Sequence, residues 1–271
     1  MSIYVKIALG VLGLYVAVTL IAYLGQRKLL YFPDTERVQP AREGLRNVAE
    51  KTLSTPDGEK LIAWYGRARG GQPTLLYFHG NGGNLADRVP RVERFMGEGW
   101  GVYMLAWRGY AGSTGKPTEA NNVADAKLAY DALVAEGVAP QSIIVYGESL
   151  GSNPAAHVAV EKRVAGVILD APYTSIVAMA RKVYPYLPVG PLVLDRYETD
   201  KVIGRVKVPL LIIHGERDSI VPVSMGRELA RLANEPKRLV TFPNGGHSDL
   251  YINGNDALVA VRAWVRSLRG V

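Results

Sequence analysis

A chain of 271 residues, 48% of them hydrophobic, can bury the core of one large α/β domain or of two small ones. The formal net charge of +7 comes from scattered Lys and Arg, with no long basic run and no aromatic-plus-glycine RNA-binding pattern, so no nucleic-acid partner is expected. The absence of cysteine excludes disulfides, thiolate metal sites and cysteine nucleophiles.

The chain opens on an apolar run. Residues 7–24, IALGVLGLYVAVTLIAYL, carry no charge; Lys6 precedes them, and Arg27 and Lys28 follow. As a helix rising 1.5 Å per residue this run spans about 27 Å, close to the roughly 30 Å hydrocarbon core of a bilayer. A secretory signal has a shorter apolar region and a small-x-small cleavage site, whereas AYLGQ offers Leu24 where a small residue is needed. Residues 1–28 therefore read as a retained single-pass membrane anchor, rather than a secretory signal or a buried core helix. Lys6 on one side against Arg27, Lys28, Arg37 and Arg42 on the other leans the rest of the chain toward the cytoplasmic face. Residues 29–44, with the Pro- and charge-containing FPDTERVQPAREG, read as a connector.

From there strands and helices alternate. Strands are predicted at 47–53, 61–65 and 74–78, a helix at 85–96, a strand at 101–105 and a helix at 119–136. A strand at 142–146 leads into a helix at 150–161, followed by a strand at 164–169. After an interruption at 173–205 come a strand at 210–213, a helix at 223–233, a strand at 239–242 and an amphipathic helix at 256–268. TLLYF, VYMLA, IIVY, GVILD and LLIIHG are continuously apolar, as strands covered by helices on both faces must be. The prediction is an α/β domain over residues 45–271 built on a mostly parallel, doubly wound sheet, with any site at the carboxyl ends of its strands.

Gly147-Glu148-Ser149-Leu150-Gly151 lies at one such end, between a predicted strand and a predicted helix. Glycines on either side permit a sharp turn that exposes Ser149 at the positive end of the following helix; a plain serine cap is the alternative. A serine hydroxyl needs a base to act as a nucleophile. Of the four histidines, His79 and His214 end strands and His157 lies two turns into the helix after Ser149. That leaves His247, in the Gly-rich loop FPNGGHSDL before the last helix, as the base. Asp218, in HGERDSIVP after the penultimate strand, is the acid expected to orient His247; Asp170, ending GVILD, is the rival. Backbone N–H groups of Leu150 and of Asn81, in the loop HGNGGN after TLLYF, are the expected oxyanion donors. This chemistry requires neither metal nor organic cofactor.

Gly147–Gly151, HGNGGN, RGYAGSTGKP, HGERDSIVP and GGHSDL together resemble the α/β-hydrolase superfamily, and more narrowly its single-pass membrane-anchored branch of budding-related proteins and protein depalmitoylases. The resemblance runs from about residue 45 to the C-terminus. It implies an α/β-hydrolase fold, a small cap formed by residues 173–205, and a serine hydrolase acting on esters or thioesters through Ser149, Asp218 and His247. A peptidase of the same fold, or a catalytically silent ligand-binding membrane protein, is the alternative. Where the branch commonly has an acidic residue and a tyrosine before R-G-Y, this chain has Ala106 and Trp107. The cap segment is rich in Tyr, Pro, Leu and Val, so it could hold an acyl chain or simply cover the sheet; a small-molecule or lipid-like acyl substrate is expected.

Overall fold

In a computed structural model, which describes residues 1–252 and 256–268, the chain begins with α1 (Ile3–Leu30) and the short strand β1 (Phe32–Pro33). The strands β2 (Val48–Ser54), β3 (Lys60–Gly66), β4 (Thr74–Phe78) and β5 (Gly82–Gly83) follow, then α2 (Val89–Gly97), β6 (Gly101–Leu105) and α3 (Glu119–Ala135). Next come β7 (Ile143–Glu148), α4 (Ser152–Glu161) and β8 (Gly166–Asp170), and three short helices, α5 (Ile176–Val183), α6 (Val189–Leu192) and α7 (Thr199–Ile203). The chain closes with β9 (Leu210–Gly215), α8 (Val223–Leu232), β10 (Lys237–Phe242) and α9 (Ala257–Ser267). The final residues of the predicted 45–271 domain, 269–271, lie outside the described residues, as do 253–255.

Among the described residues eight strands form one sheet in the order β10-β9-β8-β7-β4-β6-β3-β2. Every pair from β10 to β6 is parallel, and only β3 and β2 join antiparallel, so the sheet is mostly parallel as expected. The five continuously apolar runs are β4, β6, β7, β8 and β9, and every residue in them is buried except Glu148 at the end of β7, which is half-buried. Register shows why. Tyr146 of β7 lies beside Ile168 of β8, and Ile144 beside Gly166. Tyr146 meets the Phe95 ring of α2 on that face, where Trp264 of α9 packs against Gly166. The alternate residue Gly147 faces α4 instead. Helices thus cover both sides, and the solvent-driven alternation of a half-exposed strand never develops.

From β4 the chain winds outward through β6, then returns to place β7 on the other side of β4. The carboxyl ends of β4 and β7 therefore flank a topological switch point, where loops diverge and leave a crevice. Asn81 follows β4 and Ser149 follows β7, one on each side of that crevice.

Two segments have more structure than their composition suggests. α1 runs to Leu30, and the connector after it is tied down: Phe32–Pro33 pairs with Gly82–Gly83 in the loop after β4. Residues 173–205 fold as α5, α6 and α7 over the carboxyl ends of the strands, and this segment binds α1. Arg27 pairs with Asp195 at 2.9 Å, Leu194 N–H donates to Gln26 Oε1 at 2.8 Å, and the Tyr31 and Tyr197 hydroxyls lie 2.9 Å apart.

Candidate active site

The corner after β7 is tight. Ser149 has φ 47°, a left-handed conformation that costs a residue with a Cβ about 1–3 kcal/mol. The flanking glycines make the turn possible. A Cβ on Gly147 would stand 2.6 Å from the Gly151 carbonyl oxygen and 2.7 Å from Ala155 Cβ, and one on Gly151 would collide with the Phe78 carbonyl. β7, the start of α4 and the end of β4 thus meet backbone to backbone, which leaves Ser149 projecting over the crevice. Its residue surface is 8% exposed.

His247 comes over the serine from the loop between β10 and α9. Its Nε2 lies 3.1 Å from Ser149 Oγ, and its Nδ1 lies 2.7 Å from Asp218 Oδ2. Asp218 sits in the loop after β9, where Oδ1 accepts the N–H groups of Ile220 and Val221 at 2.9 and 2.8 Å. The two loops are bonded to each other, with Arg217 N–H donating to Gly245 O at 2.9 Å. Burial opposes ionisation of Asp218, but contacts with His214 and His247 outweigh it and hold the carboxyl well below its usual range. An ionised carboxylate can only accept, so Nδ1 of His247 carries the proton and Nε2 presents a lone pair to the serine. Burial pulls the imidazole down; the hydrogen bond and charge of Asp218, with Asp170 and Glu148 beyond, more than offset this, and His247 lies above the ordinary histidine value.

Asp170 does not reach the imidazole by a hydrogen bond. Its Oδ2 accepts the Tyr146 hydroxyl at 2.5 Å and stands 3.4 Å from Arg91. The other histidines occupy packed positions. His79 is fully buried and pushed down to about 3, chiefly by that burial; its Nε2 accepts the Trp107 N–H at 3.2 Å. His214 Nε2 contacts Val221 O at 2.9 Å, and His157 faces Glu161 on α4.

Asn81 and Leu150 line the same cavity as Ser149. The Asn81 carbonyl accepts Phe32 N–H at 2.9 Å and the Tyr110 hydroxyl at 2.7 Å, while its side-chain amide donates to Leu30 O at 2.8 Å. Tyr173 donates to Leu150 O at 3.2 Å. Both expected oxyanion residues are therefore held through their carbonyls, and Asn81 also through its side-chain amide.

Several residues that position this site carry no local sequence signature. Glu148, beside the serine, accepts Tyr77 OH at 2.5 Å and pairs with Arg88 and Arg91 at 3.3 and 3.1 Å. Burial opposes its charge, yet the two arginines hold it well below the usual carboxylate range. Trp107, one of the two residues that depart from the branch pattern, donates Nε1–H to His79 O at 2.9 Å and stacks on Phe78. Arg108 is supported despite that departure, by Asp125 at 2.8 Å and Asp57 at 2.5 Å. The RGYAG stretch supplies Tyr110, the hydroxyl that holds Asn81.

Above the serine lies a cavity of about 380 Å³, walled by α1 on one side and by α5, α6 and the intervening loop on the other. Leu150, Ile176, Met179, Val183, Leu187 and Leu192 make its surface largely apolar. Among the described residues lining it the one carboxylate is Asp195, already paired with Arg27.

A parallel sheet with helices on both faces, a strained serine corner at the switch point, and a cap over the strand ends together define the α/β-hydrolase fold. Comparison with known proteins agrees. Residues 71–197 match the family described as serine aminopeptidase, S33. The chain is 35% identical to an uncharacterized protein of Mycobacterium tuberculosis, over 89% of this chain and 87% of that one. It is 32% identical to protein bem46 of Schizosaccharomyces pombe, covering 86% and 85%, and 30% identical to the alpha/beta hydrolase domain-containing protein WAV2 of Arabidopsis thaliana, covering 90% and 88%. Its fold is that of the Pyrococcus furiosus esterase Pf2001, with a TM-score of 0.64, 21% identity, and coverage of 88% of this chain and 95% of that one. The chain belongs to the α/β-hydrolase superfamily, in its bem46-like branch.

Proposed function

We propose that this α/β-hydrolase is a membrane-anchored serine hydrolase that cleaves carboxylic esters or thioesters with an apolar acyl group. The hydrogen-bonded chain Ser149–His247–Asp218, whose serine lines an apolar cavity, carries this reading. Ser149 Oγ attacks the acyl carbon while His247 Nε2 takes its proton, and Asp218 stabilises the imidazolium. The developing oxyanion accepts the backbone N–H groups of Asn81 and Leu150, each donor lowering the barrier by about 3 kcal/mol. Collapse breaks the bond to the leaving oxygen or sulfur, which departs with the proton from His247. A water molecule, deprotonated by Nε2, then adds to the acyl-serine; its collapse frees the carboxylic acid and returns the proton to Ser149.

The anchor reading is supported by α1 itself. It is long and apolar enough to cross a bilayer, and among the described residues it is the one helix that is. We place the catalytic residues on the side of Arg27 and Lys28, which the charge bias makes the cytoplasmic face. The aminopeptidase description of the matching family favours a second reading, cleavage of peptide amides. An aminopeptidase site needs an anionic group for the substrate ammonium, and Asp195 is already paired, so the ester reading is preferred.

The decisive measurement is labelling with a fluorophosphonate probe. Wild type is expected to label, while Ser149→Ala abolishes labelling and His247→Ala reduces it by a factor on the order of 10³ or more. A folded wild type that stays unlabelled would overturn the assignment and turn attention to ligand binding without turnover.

A further inference from the structure

We infer that the membrane helix is itself a wall of the acyl site, so that the bound acyl chain lies along α1 at the depth of one bilayer leaflet and the substrate is an ester or thioester already resident in the membrane. This deepens the hydrolase reading and rests on it.

Apolar all round, α1 has no buried residue, yet it is not evenly exposed. Thr19, Ala22, Tyr23, Gln26 and Leu30 are half-buried, and their spacing of three and four residues puts them on one face. All five line the cavity that contains Ser149. The near end is fixed by the Asn81 amide on Leu30 O, which joins the last turn of α1 to the oxyanion loop. Thr19 stands at the far end, about 16 Å along the helix from Leu30 at 1.5 Å per residue. An elongated apolar slot of that length, with the serine at one end, fits an unbranched acyl chain with its carbonyl at Ser149.

The depth follows from the cap. Tyr15 donates its hydroxyl to Tyr186 O at 3.0 Å, and Tyr15 lies within the uncharged run 7–24. From Tyr15 to Leu24 is about 14 Å, close to half of a hydrocarbon core roughly 30 Å thick. The loop between α5 and α6 therefore reaches toward the bilayer midplane. In and beside that loop Val183, Tyr186 and Leu194 are large, apolar or aromatic, and uncovered, next to the exposed Arg181 and Lys182 at the end of α5. The slot between α1 and the cap then lies among the lipid tails, and the catalytic end lies at the interface.

The test uses the full chain in phosphatidylcholine vesicles with p-nitrophenyl acetate, octanoate and dodecanoate. Ala22→Trp fills the slot and is expected to lower the dodecanoate-to-acetate ratio of kcat/KM by about tenfold or more. Thr19→Trp, one turn farther from the serine, penalises dodecanoate but spares octanoate. Ile21→Trp, on the lipid-facing side of the same helix, leaves the ratio at the wild-type value. If Ala22→Trp and Thr19→Trp, still labelled by fluorophosphonate, keep the wild-type ratio, the wall is wrong and the hydrolase reading survives; an unlabelled wild type overturns both. Bilayer residence is read separately. Tyr186→Trp should gain fluorescence quenching by lipids brominated on their acyl chains, and no gain over wild type would put the cap in water and overturn a membrane source.

Discussion

In the proposed mechanism His247 decides how the site responds to pH, because only its neutral form can take a proton from Ser149. Proton uptake at Nε2 inactivates, so kcat/KM must fall as pH drops through the imidazole pKa. Burial alone would move that pKa down; Asp218, with Asp170 and Glu148 behind it, moves it up past the ordinary histidine value. The acid limb of the pH profile is therefore expected above about 6.5. Asp218→Asn removes the charge and the bond to Nδ1, which should carry the limb to lower pH and cut kcat by a factor on the order of 10⁴. Measured on a short ester, a wild-type limb at or below the ordinary value, or one that Asp218→Asn does not move, would refute this account. Asp170→Asn is not equivalent. Its partners are Tyr146 and Arg91, so its loss disturbs the packing under the corner before it disturbs the imidazole.

At the scale of elements, the serine is presented by a collision avoided. Gly151 touches the Phe78 carbonyl so closely that any Cβ forces the β7–α4 corner away from the end of β4. Gly151→Ala is expected to destabilise the fold by about 3 kcal/mol, at the upper end of ordinary overpacking, and to weaken probe labelling. A urea midpoint shifted by less than about 0.5 kcal/mol equivalent would mean that the corner yields easily. The same elements show what a sequence can reveal. The five apolar runs were legible as buried strands because burial on both faces erases alternation, and the serine corner because Gly147 and Gly151 lie within two residues of Ser149 in the chain. α1 was legible as a helix but not as a wall. Its half-buried stripe, Thr19 to Leu30, sits in a helix that is apolar all round, so no contrast of polarity marks the face. The bonds of Gln26, Arg27 and Tyr31 to residues near 194 span more than 160 positions, which no local pattern can encode. Glu148 escaped for the same reason, since Tyr77, Arg88 and Arg91 reach it from another strand and helix.

On the scale of the whole molecule, α1, cap and site form one mechanical unit. Asp195 is nearly buried and joins three elements, accepting from Arg27 of α1 and from the first N–H of α3 at Glu119. Next to it Tyr197, with φ 43°, is held in a strained backbone by hydroxyl contacts with Tyr31 and Asn122. Strain of that kind persists only where the surroundings over-determine it. Removing Arg27 leaves the Asp195 carboxylate without its cation and removes one of the ties between α1 and the cap, while the central sheet keeps every contact it had. Arg27→Ala should therefore raise hydrogen exchange in residues 184–197 and leave 143–148 and 166–170 protected as in wild type. Exchange mass spectrometry of the full chain in lipid distinguishes the outcomes. A rise confined to the cap segment identifies the Arg27–Asp195 pair as its clamp. Exchange rising equally through the sheet would make the pair a determinant of global stability, and no rise anywhere would show that Tyr31 and Gln26 hold the cap without it.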